Sequence, residues 1–240
     1  MRDGLRVRYS ATTHVGRVRK INEDSILALP DHGIWVVSDG VGGHAAGDFA
    51  SQTVVDSIAI LPADLPPGEM MAAIRSALQR AHEVIRTEAV ARKVDLIGAT
   101  VVTLMLHGGH FLCFWAGDSR LYRLRGAEVE MLSSDHSLVA EFVHSGQMTW
   151  DEVDVLPQSN AITRAVGVGE VLELDKVRGE AESGDRFLLC SDGLTKYART
   201  DTLRRLAATA PIESVADTLL TFALEQGGGD NVSIIVVDVV

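Results

Sequence analysis

Long apolar runs, basic charge, cysteines and internal repeats are all scarce in this chain, and each scarcity removes a class of protein. No uninterrupted apolar stretch approaches the roughly 20 residues needed to cross a bilayer, and residues 1–8 (MRDGLRVR) lack the apolar core of a secretion signal. A cytoplasmic protein with no membrane partner is the expectation. Of the 2 cysteines, Cys113 and Cys190, each sits inside an apolar run ("FLCFW", "FLLCSD"), where a thiol behaves as a small buried hydrophobe and not as a nucleophile or ligand. The formal net charge of -11 argues against a nucleic-acid partner, because lysine and arginine drive that association by neutralising phosphates. Low-complexity tracts, solenoid repeats and long charge runs are absent, and only residues 62–68 (PADLPPG) read as a linker.

What is present suffices for one substantial core. A chain of 240 residues with 46% hydrophobic and 23% charged content fits a single domain over 1–240. Apolar residues recur at helical spacing over residues 45–61 (Phe49, Val54, Ile58) and 67–92 (Met70, Ile74, Leu78, Ala81, Ile85), giving one helix pair. Residues 200–210 and 211–226 give a second pair, with Gly227 as its stop. The rest reads as strands. "GATVVTLMLH" and "HFLCFWAG" meet at Gly108-Gly109, a hairpin signal, and "RLYRLR" and "EVEML" flank Gly126. "IWVVSD", "RFLLCSD" and "VSIIVVDVV" are continuous apolar runs, as expected of strands covered on both faces. Hairpin-linked strands interrupted by two helix pairs predict an α+β fold with antiparallel sheets packed together and helices outside.

The aspartates fall at the ends of these runs. Asp39 follows "IWVVS", Asp118 follows "HFLCFWAG", Asp192 follows "RFLLCS" and Asp230 precedes "NVSIIVVDVV". Neighbouring antiparallel strands run in opposite senses, so the end of one and the beginning of the next share an edge, and four aspartates can meet at one rim. Any one Asp-Gly alone is more often a turn than a ligand. Against that, "SDG" at Asp39 runs into the glycine-rich "VGGHAAGDFAS" and Asp192 runs into "LTKYAR", and neither continuation is a pairing strand. Carboxylates brought to about 4 Å repel by roughly 4 kcal/mol per pair at an effective dielectric of 20, so convergence calls for cations. All-oxygen ligands favour Mg2+ or Mn2+, or Ca2+ in a looser cage. Glu23-Asp24 taken alone reads as a solvated turn, and spacing does not choose among Arg17, Arg19 and Lys20 as a phosphate donor.

In order along the chain, "VRKINED", "SDGVGGHAAGDFAS", "GATVV", "AGDSRLYRLR", "SSDHSL", "ITRAVG", "GDRFLLCSDGL" and "GGGDNVSIIVV" resemble the metal-dependent serine/threonine protein phosphatases of the PPM or 2C type, in their compact bacterial form. The resemblance implies an αββα sandwich, two antiparallel sheets flanked by helix pairs, with a binuclear metal centre at one end. It implies Mn2+ or Mg2+, two ions with a weaker third, and a metal-bridging water or hydroxide that attacks phosphoserine or phosphothreonine directly. By motif position Asp39 matches the bridging carboxylate and the carbonyl of Gly40 a ligand of the first metal. Asp192 and Asp230 match ligands of the second, and Asp118 with Asp192 those of the third. Glu23 and Asp24 match the pair that orients metal-bound water, Arg19 the phosphate-binding arginine and Asn231 a support of the same water shell.

One departure is visible: where eukaryotic members place a histidine two residues after the bridging aspartate this chain has Val41, and His44 does not replace it. Residues 138–164 fit the family's flap, equally readable as an ordinary surface helix and loop. The implied partners are phosphorylated proteins and a cognate serine/threonine kinase, with a monomer as the default. A nuclease is disfavoured by charge, and a contiguous-loop Ca2+ site by the spread of the acids. The rival of another class is a catalytically silent phosphopeptide-binding protein of the same fold.

Overall fold

The computed structural model describes residues 6–42, 46–154, 156 and 161–240, and shows two antiparallel sheets stacked face to face with helices on both outer surfaces. One sheet runs in the order β1 (Val7–His14), β11 (Val232–Val239), β10 (Arg186–Cys190), β7 (Arg120–Arg125), β8 (Glu128–Met131). The other runs β2 (Asp24–Leu29), β3 (Ile34–Gly42), β5 (Val101–His107), β6 (His110–Ala116), β9 (Asp175–Glu180), with β4 (Ile97–Ala99) paired to the end of β3. Helices α1 (Gly47–Ala59) and α2 (Pro67–Arg92) cover the second sheet, and α6 (Thr200–Ala207) and α7 (Ile212–Glu225) cover the first. Between β8 and β9 lie the short helices α3 (Ala140–His144) and α4 (Trp150–Val153), and α5 (Asp192–Thr195) follows β10. This is the expected αββα sandwich.

The continuous apolar runs are explained by which layer each alternate residue enters. Along β11, Val232, Ile234 and Val236 pack under α6 and α7, whereas Ile235, Val237 and Val239 enter the layer between the sheets. Along β3, Ile34 and Val36 pack under α1 and α2 while Trp35 and Val37 face the other sheet. Period-2 alternation therefore leaves no polar face on these central strands. Each buried side chain of this size contributes about 1.5–3 kcal/mol relative to exposure. The strand that the sequence reading did not find is β9, whose DKVRGE carries one large apolar residue, Val177. An edge strand needs only one face and one partner, and β9 draws its order from its pairing to β6.

The layers place the acids. Cys190 pairs with Ile234 and the Ser191 N–H donates to the Ser233 carbonyl at 3.0 Å, so the end of β10 lies beside the beginning of β11. In the other sheet the Thr100 N–H donates to the Asp39 carbonyl at 2.8 Å, and Val101 pairs with Ala116 at the end of β6. Asp118 stands where the chain passes from β6 in one sheet to β7 in the other. All four strand ends meet at one rim of the sandwich.

Candidate metal and phosphate site

At that rim lies a cleft of about 200 Å³ walled by five carboxylates, Glu23, Asp39, Asp118, Asp192 and Asp230, and by two cationic side chains, Arg19 and Lys196. Both Ser-Asp-Gly segments, the first inside β3 and the second opening α5, bring their aspartate to it, and each glycine is forced by close approach. A Cβ on Gly40 would lie 2.1 Å from the Gly47 carbonyl oxygen, and one on Gly193 would lie 1.9 Å from that of Asn231. The chain crosses itself at these points too tightly for any other residue.

The backbone of Asp39 is fixed by the Thr100 hydroxyl, which accepts its N–H at 2.9 Å and is itself 2.7 Å from the Ser119 hydroxyl, next to Asp118. Glu23 and Asp24 do not stand side by side in the cleft wall. Glu23 lines the cleft and accepts from the Gly47 N–H at the start of α1, where the helix dipole favours an anion. Asp24 opens β2 opposite Asp39 and is buried one layer behind, accepting from the Ser191 hydroxyl at 2.8 Å. Asn231 lines the cleft and is tied to its backbone. Its carbonyl oxygen accepts the Glu23 N–H at 2.8 Å, and its amide donates to the Val15 and Ile21 carbonyls at 2.9 Å each. With those bonds made, it holds the loop that carries Arg19 and Glu23 onto the start of β11, at the wall of the cleft.

Arg19 grips Asp230 with a fork, Nε to Oδ1 at 2.8 Å and Nη2 to Oδ2 at 2.9 Å, and remains half exposed at the cleft mouth. Sequence reasoning missed Lys196, whose Nζ lies 2.9 Å from Asp192 and 2.8 Å from Asp230. The signal was available, since an aspartate followed four residues later by lysine on a helix is a pairing spacing. Val41 lines the cleft and brings no acid. His44 and residues 155 and 157–160 of the flap segment lie outside the described residues. From the rest of that segment Ile162 reaches the cleft wall. A larger apolar groove of about 510 Å³ near Met71, Met105 and Phe111 gathers no carboxylate cluster.

The electrostatics favour a divalent cation. Burial, reinforced by Asp24, Asp192, Asp118 and Asp230, pushes the Asp39 carboxyl well above the usual range. Burial and Asp192 do the same to Asp118, and burial raises Asp192 against the pull of Lys196. Burial takes Asp24 to about 7. Of the described acids lining the cleft, only Asp230, despite burial, is held below its ordinary value, by Arg19 and Lys196. Among the described residues no three acidic, histidine or cysteine side chains close on one point as a finished ligand cage. Instead, crowded oxygens are left without partners: Asp24 Oδ1 and Asp192 Oδ1 are buried and unbonded. An all-oxygen, charge-rich set with unsatisfied buried atoms fits hard divalent ions.

The sign of the pH dependence follows. An aspartate titrates near 3.9 when unfolded, and Asp24 near 7 when folded. A raised carboxyl pKa contributes stability that is present below the unfolded value and lost as pH rises through the folded one. Asp39, Asp118 and Asp192 shift in the same direction. In chelator, the melting temperature is therefore expected to fall as pH rises from about 4 to about 7, and saturating Mn2+ is expected to reverse the fall. Calorimetry at both ends of the window checks this, and a melting temperature that rises with pH in chelator contradicts it.

The chain belongs to the protein phosphatase 2C family, whose sequence profile matches residues 13–228. Among curated relatives, the serine/threonine protein phosphatase PstP of Mycobacterium tuberculosis is 36% identical over 98% of this chain. This chain spans about half of that relative's length, 46%. Among solved structures, the PstP catalytic domain in complex with 2 manganese ions superposes with a TM-score of 0.87 at 34% identity, covering 98% of this chain and 99% of the other. PppA of Pseudomonas aeruginosa, described as a key regulatory component of T6SS, superposes with a TM-score of 0.91 at 42% identity, covering 98% of each chain.

Proposed function

We propose that this chain, over 1–240 as one catalytic domain, is a metal-dependent protein phosphatase hydrolysing phosphoserine and phosphothreonine in proteins. The observation that carries the reading is the convergence of Asp39, Asp118, Asp192 and Asp230, from strand ends far apart in sequence, on one cleft that also holds Arg19. The names of the relatives and the manganese in one of their structures support it. Asp39, the Gly40 carbonyl, Asp192 and Asp230 would hold two ions, Mn2+ or Mg2+, and Asp118 with Asp192 a third. Bound divalent ions supply Lewis acidity, which lowers the pKa of water and offsets charge on a phosphoryl group.

The chain's own residues do the rest. Arg19, whose fork is held by Asp230, keeps its guanidinium half exposed at the cleft mouth, where it donates to phosphate oxygens. Glu23, anchored on the start of α1, orients the attacking water as a hydrogen-bond acceptor. Asn231 fixes the height of both by holding their loop. A covalent phosphoenzyme is not required: burial pushes the Cys113 thiol up and the Cys190 thiol up to about 12, which leaves both inert. Among the described residues lining the cleft there is no histidine, and the reading assigns no side chain as proton donor to the leaving alkoxide. The silent-scaffold alternative would expect a missing acid, and every matched cleft acid is in place. The reading includes a cytoplasmic monomer that opposes a serine/threonine kinase.

The test is hydrolysis of p-nitrophenyl phosphate and of a phosphothreonine peptide with Mn2+ and with chelator. Turnover of both that requires the metal is expected. Turnover unaffected by chelator, or metal binding with no turnover, contradicts the proposal.

A further inference from the structure

Arg120 begins β7, two residues beyond Asp118, and is only 3% exposed. Its guanidinium spends every N–H. Nε donates to both oxygens of Asp135 at 3.0 and 3.1 Å, and Nη2 to Asp135 Oδ2 and Asp154 Oδ1 at 2.6 Å each. Nη1 donates to Asp154 Oδ2 at 3.0 Å and to the Tyr122 hydroxyl at 3.2 Å. The same group lies 5.4 Å from the centre of the Trp150 ring. Asp135 stands before α3 and Asp154 directly after α4, so one buried guanidinium holds both stems of the helical part of the flap segment.

A buried ion cluster of this kind adds little net stability, because desolvation offsets attraction; what a planar fork adds is a fixed geometry. Here the fixed geometry reaches the cleft by two routes. A void of about 20 Å³ is bounded by the cluster on one side and by Asp118, Asp192 and Lys196 on the other. Beyond Asp135, the His136 carbonyl accepts the Thr163 N–H at 2.8 Å and the Leu138 N–H donates to the Ala161 carbonyl at 3.0 Å, which sets Ile162 in the cleft wall. The clamped segment also carries two exposed apolar side chains, Leu138 and Phe142. A small phosphate ester occupies the cleft alone, whereas a polypeptide bearing the phosphate must pass over the rim that these residues form.

We propose that Arg120 is a positioning residue whose clamp on Asp135 and Asp154 sets how the flap meets an extended substrate, so that preference for phosphopeptide over small phosphate esters passes through this cluster. The inference rests on the phosphatase reading. Arg120 touches no substrate and acts through the stems it holds. A second attachment keeps α4 from being lost when one bond goes: Asp151 Oδ1 accepts the N–H and hydroxyl of Thr200 at 3.2 and 3.3 Å.

Removing Arg120 would take from the buried Asp135 carboxylate its guanidinium partner, so the informative variants lie on the flap side. Asp154→Asn keeps the Arg120–Asp135 pair, and Trp150→Ala removes the ring face over Arg120 together with its edge contact to His144. For both, kcat/KM on the phosphothreonine peptide is expected to fall about tenfold, through KM, while kcat/KM on p-nitrophenyl phosphate stays within about twofold. Arg120→Lys, which keeps the charge and loses the fork, is expected to show the same split. Amide hydrogen exchange over residues 140–153 is expected to speed up in each variant without a change in the β7 and β10 amides. A peptide-to-ester selectivity unchanged within about twofold in all three, or exchange in 140–153 as slow as in the unmodified protein, overturns the inference. If the unmodified protein hydrolyses neither substrate, the phosphatase reading falls and the selectivity claim with it, whereas an unchanged selectivity in the variants of an active enzyme overturns this inference alone and leaves that reading standing.

Discussion

Asp39→Asn is expected to lower turnover by about a thousandfold or more, a loss on the order of 4 kcal/mol of transition-state stabilisation, while the protein stays folded. Asp39 is the acid on which the other charges of the cleft converge: burial and the fields of Asp24, Asp192, Asp118 and Asp230 all oppose its ionisation. It ionises readily only if a cation stands beside it, so the asparagine loses the anionic oxygen through which a divalent ion would be held. The same substitution relieves repulsion when no metal is supplied. In chelator the variant is therefore expected to melt no lower than the unmodified protein, whereas with Mn2+ it gains less stability. Kinetics on p-nitrophenyl phosphate and calorimetry with and without Mn2+ check both halves. Activity within tenfold of the unmodified protein would remove Asp39 from the centre of the account.

Asn231→Ala is expected to cost about 2–4 kcal/mol of stability and to cut kcat/KM by roughly a hundredfold, without removing any cleft carboxylate. Asn231 is 4% exposed and satisfies three backbone groups, the Glu23 N–H and the carbonyls of Val15 and Ile21. Alanine leaves these polar groups without their partner and frees the loop that aims Arg19 and Glu23. A displacement of about 1 Å in a positioning group is enough for a large kinetic loss. The loss is expected in KM for phosphate esters as well as in kcat, because Arg19 moves. Thermal melting and steady-state kinetics report it; a variant with unchanged stability and activity would show that the three bonds do not govern the loop.

Much of this architecture was legible from strand ends. The runs "IWVVSD" and "VSIIVVDVV" announce strands buried on both faces, and antiparallel pairing then forces their aspartates to a shared rim, as the Asp39–Thr100 and Ser191–Ser233 bonds bear out. What was not legible depends on contacts between segments distant in sequence. Asn231 next to Asp230 reads as part of the site, yet its role comes from carbonyls at Val15 and Ile21 more than 200 positions away. Glu23 and Asp24 read as a pair, but successive strand residues point to opposite sides, and Asp24 turns inward to Ser191. Strand β9 carries almost no apolar pattern because an edge strand needs none. The pairing of Lys196 with Asp192 has a helical spacing in its favour, whereas its bond to Asp230 required the fold.

The central claim is that the carboxylates at this rim gather divalent cations, and anomalous diffraction from a crystal grown in Mn2+ tests it most directly. Two strong manganese peaks in the cleft, each within bonding distance of oxygens from Asp39, Asp192 or Asp230, are predicted, with Lys196 displaced from at least one of its carboxylate partners. A cleft without manganese density, with Lys196 and Arg19 still bound to Asp192 and Asp230 at saturating metal, would contradict the account.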